Sequence, residues 1–177
     1  MKSTVSARVA VAALVALLPL SAASLAIADA GHGGDVGKPG SKPSRTVNVT
    51  MYDNYYEPES IVVNAGETVR FMVSNKGQLV HEFNIGSPDM HRAHQDEMQM
   101  MADHGVLMGT YIDKTAGKAM QASMGHGMHN DPNSILLEPG KTGEVIWTFP
   151  TSGVLEAACN VPGHYEAGMV GEFLISK

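Results

Sequence analysis

The chain has a single cysteine, Cys159, among its 177 residues, so no disulfide can form within it. Exported domains normally pair their cysteines. A lone thiol in an oxidising compartment is therefore buried and inert, paired to another chain, or bound to something. The chain also lacks an excess of basic residues: 12 Lys and Arg stand against 18 Asp and Glu, a net charge of −6. Nucleic acid and anionic lipid are held by clustered Lys and Arg, so neither suits this surface. No apolar run approaches the roughly 20 residues of a membrane-spanning helix, which argues against membrane insertion.

What the amino-terminal region does contain is a short apolar run, residues 9–20, preceded by Lys2 and Arg8 and followed by the small residues Ala26, Ala28 and Ala30. This is the pattern of a secretory signal peptide over residues 1–30, without a twin arginine, and cleavage is expected after Ala28 or Ala30. Removal of residues 1–30 takes away Lys2, Arg8 and Asp29, leaving 10 basic residues against 17 acidic ones and a net charge of −7. The remainder is long enough for one domain with a substantial core.

Residues 31–44 are rich in Gly, Pro and Ser and show no apolar period, which predicts a flexible leader. From Arg45 onward Val47, Val49 and Met51 alternate with polar residues, the period of a half-buried strand. Further β-type runs cover residues 61–63, 68–74, 79–85, 135–137, 145–149, 154–158 and 170–175, punctuated by the turns Asn64-Ala65-Gly66, Glu138-Pro139-Gly140-Lys141 and Pro150-Thr151-Ser152-Gly153. About eight short strands at this spacing predict an all-β fold, a Greek-key β-sandwich over residues 45–177. Residues 88–133 differ in character and read as an insertion holding eight of the twelve methionines and five of the eight histidines. Its first part is expected to be helical, with Ser87 as cap, Pro88 in the first turn and Gly105 as terminator.

The segment Cys159-Asn160-Val161-Pro162-Gly163-His164-Tyr165-Glu166-Ala167-Gly168-Met169 places a thiol, an imidazole and a thioether on one loop before the last strand. A thiolate, two imidazoles and a weak axial thioether make a blue-copper electron-transfer site. The second imidazole is expected from His81, which opens a strand in the first half of the sandwich. Copper fits this set better than zinc, whose tetrahedral sites seldom use Met. Taken singly, Cys159, His81 and Met169 each also read as ordinary core; their joint occurrence beside one thiol favours a type 1 copper ion on His81, Cys159, His164 and Met169.

The loop, the strand count and His81 resemble the cupredoxins, the plastocyanin, azurin and pseudoazurin group, over residues 45–87 and 133–177. The run from Cys159 to His164 is similar to the loop of azurins and auracyanins. Glu82 stands where plastocyanin-type relatives often have Asn, so the usual hydrogen bond around the thiolate is expected from another residue. The Met and His insertion is similar to that of periplasmic copper-tolerance cupredoxins of the CopI kind. That resemblance implies a periplasmic type 1 copper protein contributing to copper tolerance by binding copper and redox cycling it between Cu(I) and Cu(II). Its expected partners are copper ions and a periplasmic redox or copper-handling protein. The alternative is a dedicated one-electron carrier between redox proteins. An enzyme is not expected, beyond a weak cuprous-oxidising activity, because the chain has no His-x-His pairs and is too short for a multicopper oxidase.

On a helix His91, His94, Met98 and Met101 share one face, and Met124, His126, Met128 and His129 lie within six residues. Both groups are candidates for a second site holding additional Cu(I), whose softness favours Met. Methionine at helical spacing reads equally well as gap-filling core.

Overall fold

A computed structural model describes residues 35–125 and 131–176. The expected signal peptide and the candidate donors His126, Met128 and His129 lie outside the described residues. In chain order the elements are β1 (Lys38–Pro39), β2 (Arg45–Tyr52), β3 (Tyr55–Glu57), β4 (Ser60–Asn64), β5 (Thr68–Asn75), β6 (His81–Gly86), α1 (Pro88–Asp103), β7 (Leu107–Met108), β8 (Tyr111–Ile112), α2 (Lys114–Met124), β9 (Ser134–Leu137), β10 (Thr142–Thr148), β11 (Leu155–Ala158) and β12 (Val170–Ser176).

The strands build two five-stranded sheets, ordered β1-β10-β5-β2-β3 and β4-β12-β11-β6-β9, with β7 and β8 as a separate hairpin. The chain crosses between sheets after β3, β4, β5, β9 and β10; the pairs β2·β5 and β4·β12 are parallel and the remaining pairs antiparallel. The alternation in the sequence is the cause of the sandwich. Val49 and Met51 of β2, Val69, Phe71 and Val73 of β5, and Val145 and Trp147 of β10 are buried, and the residues between them are not. They meet Ile61, Val63, Phe83, Ile85, Leu155, Ala157 and Phe173 from the facing sheet. Phe71 is the hub, with its ring centroid 5.4 Å from Phe83, 6.0 Å from Phe149 and 5.8 Å from Phe173.

Two features differ from the sequence expectation. The strands outnumber the expected eight because β1, β3, β7 and β8 are two or three residues long, and such strands exist by pairing rather than by their own periodicity. The described part of the leader is also structured: β1 pairs with β10, and the Trp147 indole N–H donates to the Val36 carbonyl at 2.8 Å. A buried indole needs an acceptor, and the leader supplies it.

The insertion fills the connection from β6 to β9. Ser87 caps α1, accepting from the Met90 amide at 3.3 Å, and Pro88 takes the first turn, where its missing N–H costs nothing. Asp113 caps α2 through the Thr115 and Ala116 amides, and Gly125 ends it at φ 72°. Met98, Met101, Val106, Leu107 and Met120 form a second core, against which Leu136 and Val161 pack.

Replacing Phe71 by Ala removes the hub of the main core and is expected to cost about 3–5 kcal/mol of folding stability. The check is urea denaturation, with a lowered midpoint and an unchanged slope.

Candidate metal centre

Strand pairing brings the candidate ligands together. β11 runs antiparallel to β6 with Glu156 opposite Gly86, Ala157 opposite Ile85 and Ala158 opposite Asn84. The residue that follows β11, Cys159, thus reaches the beginning of β6, where the Glu82 amide donates to its Sγ at 3.3 Å. The loop after Cys159 folds back through a run of short turns. His164 N–H donates to the Val161 carbonyl at 2.9 Å, Met169 N–H to the His164 carbonyl at 3.0 Å, and Cys159 N–H to the Met169 carbonyl at 3.2 Å. Gly168 takes φ 91°, a value that disfavours a side chain.

His81, Cys159 and His164 converge, with one donor atom from each lying within 4.8 Å of the others. Cys159 Sγ is 3.3 Å from His164 Nδ1 and 3.9 Å from His81 Nδ1, and the two Nδ1 atoms are 3.2 Å apart. His81, Cys159 and Met169 are fully buried, and His164 is half-buried. Met169 belongs to the main core. Among the described residues no other group of three His, Cys, Asp or Glu side chains converges in this way.

Asp53, on the turn between β2 and β3, accepts from His81 Nε2 at 2.8 Å and from the Gln78 amide at 3.0 Å. A carboxylate at Nε2 fixes the proton there, so the neutral ring presents the Nδ1 lone pair toward Cys159 and His164. Gly77 makes room for the pair, since a Cβ at 77 would run into Asp53 Oδ1 and lie 2.8 Å from His81 Nε2.

The donor set fits a soft cation. Burial pushes the Cys159 thiol up to about 12, against the pull of the Glu82 amide, so at neutral pH the sulfur keeps its proton unless a cation replaces it. Burial, and then the neighbouring His81 ring, lower the His164 pKa, which keeps that imidazole neutral and able to donate its lone pair. Two imidazole nitrogens and a thiolate, with a thioether from the same loop, are the ligand chemistry of type 1 copper.

The remaining candidates are placed differently. The structure does not leave His91, His94, Met98 and Met101 as an open face of donors. His91 is buried with Nδ1 3.2 Å from Asn160 Nδ2, and His94 Nε2 is 3.2 Å from Glu82 Oε1. Met98 and Met101 pack in the second core. Met124 is exposed at the end of α2, and its sequence neighbours His126, Met128 and His129 lie outside the described residues. The hydrogen bond to the sulfur, expected from a residue other than Glu82, comes from the Glu82 backbone amide at 3.3 Å and also from the Val161 backbone amide, so the expectation is met only in part. Sequence reasoning missed Asp53 and Asn160. Asp-Asn between two aromatic residues marks a turn, and Asn160 adjoins the cysteine, but what either side chain would meet is decided by partners far away in the chain.

A Greek-key sandwich that gathers two His and a Cys, two of the three on the loop before the last strand, is the architecture of the cupredoxin class. The cupredoxin-like domain family matches residues 10–107, more than half of the chain. The copper-resistant cuproprotein CopI of Pseudomonas aeruginosa is 44% identical over 176 residues, spanning 93% of this chain and 94% of its own. The protein of the same name from Rubrivivax gelatinosus is 38% identical over 142 residues, 78% of this chain and 72% of its own. Among solved structures, auracyanin B superposes with a TM-score of 0.57 at 22% identity, covering 82% of this chain and 97% of that one, a likeness of fold. The chain belongs to the cupredoxin family, as a CopI-type member.

Two outcomes follow. Asp53→Ala frees the His81 ring and is expected to lower copper affinity about 10–100-fold, read by competition with a chelator. Burial pushes the His94 pKa down, but the hydrogen bond and charge of Glu82, and then of Glu97, raise it to about 9. The folded value exceeds the unfolded one, near 6.5, so this stabilisation is complete below pH 6.5 and is lost as pH rises through 9. Urea unfolding of the copper-free protein should show stability falling across that window, and His94→Leu should remove that part of the slope.

Proposed function

We propose that the chain binds one copper ion at a type 1 centre and serves copper tolerance in the periplasm. His81 Nδ1, Cys159 Sγ and His164 Nδ1 would be the strong ligands, and Met169 would offer a weak thioether donor. The observation that carries this reading is the convergence of the three donor atoms within 4.8 Å at the closed end of the sandwich. Copper bound there supplies one-electron exchange between Cu(I) and Cu(II), because a mixed nitrogen and sulfur set suits neither state fully. The protein's own groups do the rest. Asp53 orients His81, the Glu82 amide donates to the sulfur, and the surrounding core excludes water from all but the half-buried His164.

The tolerance role is supported by CopI relatives whose name is copper-resistant cuproprotein. The periplasmic location is supported by the signal-peptide pattern of residues 1–30. Family and site support a copper-binding protein rather than a classical enzyme, and redox cycling is part of the proposed reading. Any second copper, held as Cu(I), is assigned to Met124, His126, Met128 and His129, because the donors of α1 are engaged with Glu82, Asn160 and the second core.

Cys159→Ser is expected to abolish the intense thiolate-to-copper absorption and to reduce bound copper by one equivalent per chain, while Cu(I) on the 124–129 tract remains. Visible spectra and copper stoichiometry in both oxidation states check this; absorption that survives the substitution overturns the ligand assignment. A strain lacking the protein should be copper-sensitive with normal respiration.

A further inference from the structure

β6 is buried along its whole length, because α1 packs over the face that the sandwich core does not cover. Phe83 and Ile85 belong to the core, and the alternate side chains, Glu82 and Asn84, are buried polar groups on the other face. A buried carboxylate is costly unless donors surround it. Here they do. Glu82 Oε1 accepts from His94 Nε2 at 3.2 Å, Ser134 Oγ at 2.6 Å and Asn84 Nδ2 at 3.4 Å. Glu82 Oε2 accepts from the Asn160 backbone amide at 3.2 Å and from Asn160 Nδ2 at 2.8 Å.

The same Asn160 amide group donates to His91 Nδ1 at 3.2 Å, and His91 Nε2 faces the Glu156 carbonyl at 3.4 Å. The proton assignment is self-consistent. Nε2–H of a neutral His91 donates to the carbonyl and Nδ1 accepts from Asn160, in keeping with a pKa that burial lowers. Gly86 permits the approach, since a Cβ there would lie 3.1 Å from two atoms of the His91 ring. Glu82 thus links α1 to the sulfur on two sides. Its backbone amide donates to Cys159 Sγ, and its carboxylate holds the residue that follows Cys159.

We infer that His94 and His91 of the insertion are positioning residues for the copper centre, acting through Glu82 and Asn160 to hold the Cys159 peptide and to balance a buried negative charge beside the sulfur. This rests on the type 1 reading of His81, Cys159 and His164. The sign of the effect follows from Coulomb's law. Without the positive His94 ring the Glu82 carboxylate is left uncompensated near the ion, and negative charge favours Cu(II) over Cu(I).

The test uses the full-length, copper-loaded protein with His94→Leu and His94→Gln. Three quantities are read: the equilibrium with a one-electron mediator, the thiolate-to-copper absorption with its paramagnetic resonance spectrum, and, on copper-free protein, hydrogen exchange of the Asn160 amide. His94→Leu is expected to shift the equilibrium at least tenfold toward the oxidised form, about 59 mV for one electron. It should also alter the spectrum and speed Asn160 exchange. His94→Gln restores a donor to Glu82 without the charge, so the spectrum and exchange should return toward the parent while the equilibrium stays shifted. If His94→Leu fails to fold, the equilibrium of His94→Gln decides, and a parental value overturns the inference. A parent without a thiolate-to-copper band overturns the site reading itself. A parent with the band, and folded variants that match it in all three readouts, overturns only the positioning role.

Discussion

The antiparallel pairing of β11 with β6 is the constraint on which the centre depends. Three register pairs, Glu156 with Gly86, Ala157 with Ile85 and Ala158 with Asn84, carry the end of one strand to the beginning of the other. A slip of one residue would turn Phe83 and Ile85 out of the core and move Cys159 away from the Glu82 amide. The apolar face of β6 therefore enforces the register that the polar chemistry needs. The fold and the site are specified by the same alternation.

The insertion plays two parts. Its methionines Met98, Met101 and Met120 make a small core of their own, joined to the sandwich through Leu136 and Val161. Its histidines reach back over β6 to a carboxylate that would be costly to bury without them. A strand open to water on one face is thereby converted into one covered on both, and the dielectric around the sulfur falls accordingly. This explains how Glu82 can occupy a position beside the first histidine: the added layer brings the donors that a charged side chain requires.

Much of this was legible in the sequence. Alternation marked β2, β5 and β10, Ser87-Pro88 marked the start of α1, and three of the four candidate ligands were read from one stretch of chain, where local spacing suffices. The fourth, His81, was recognisable because it opened a strand that had to face the loop. Asp53 was not legible, since its contact with His81 exists only after the β2–β3 turn has been folded against the segment preceding β6. The donors of α1 were open to two readings for a related reason. Helical period says which residues share a face, and the same period serves a metal-binding face or a packed one; only the neighbour it meets, here Glu82, Asn160 and the second core, tells them apart. Likewise the segment before Arg45 has the composition of a linker, yet Trp147 needs an acceptor and recruits it.

That recruitment has a bearing on colloidal behaviour. β10 would otherwise end its sheet with a row of unpaired amides and carbonyls, a template on which another copy could add a strand. The two-residue strand Lys38–Pro39 occupies part of that margin and presents a proline, which has no N–H to offer, beside a charged lysine. The outermost rung of the sheet is thus a poor substrate for further growth, and the molecule is guarded against edge-to-edge aggregation by a segment that adds little to its hydrophobic interior.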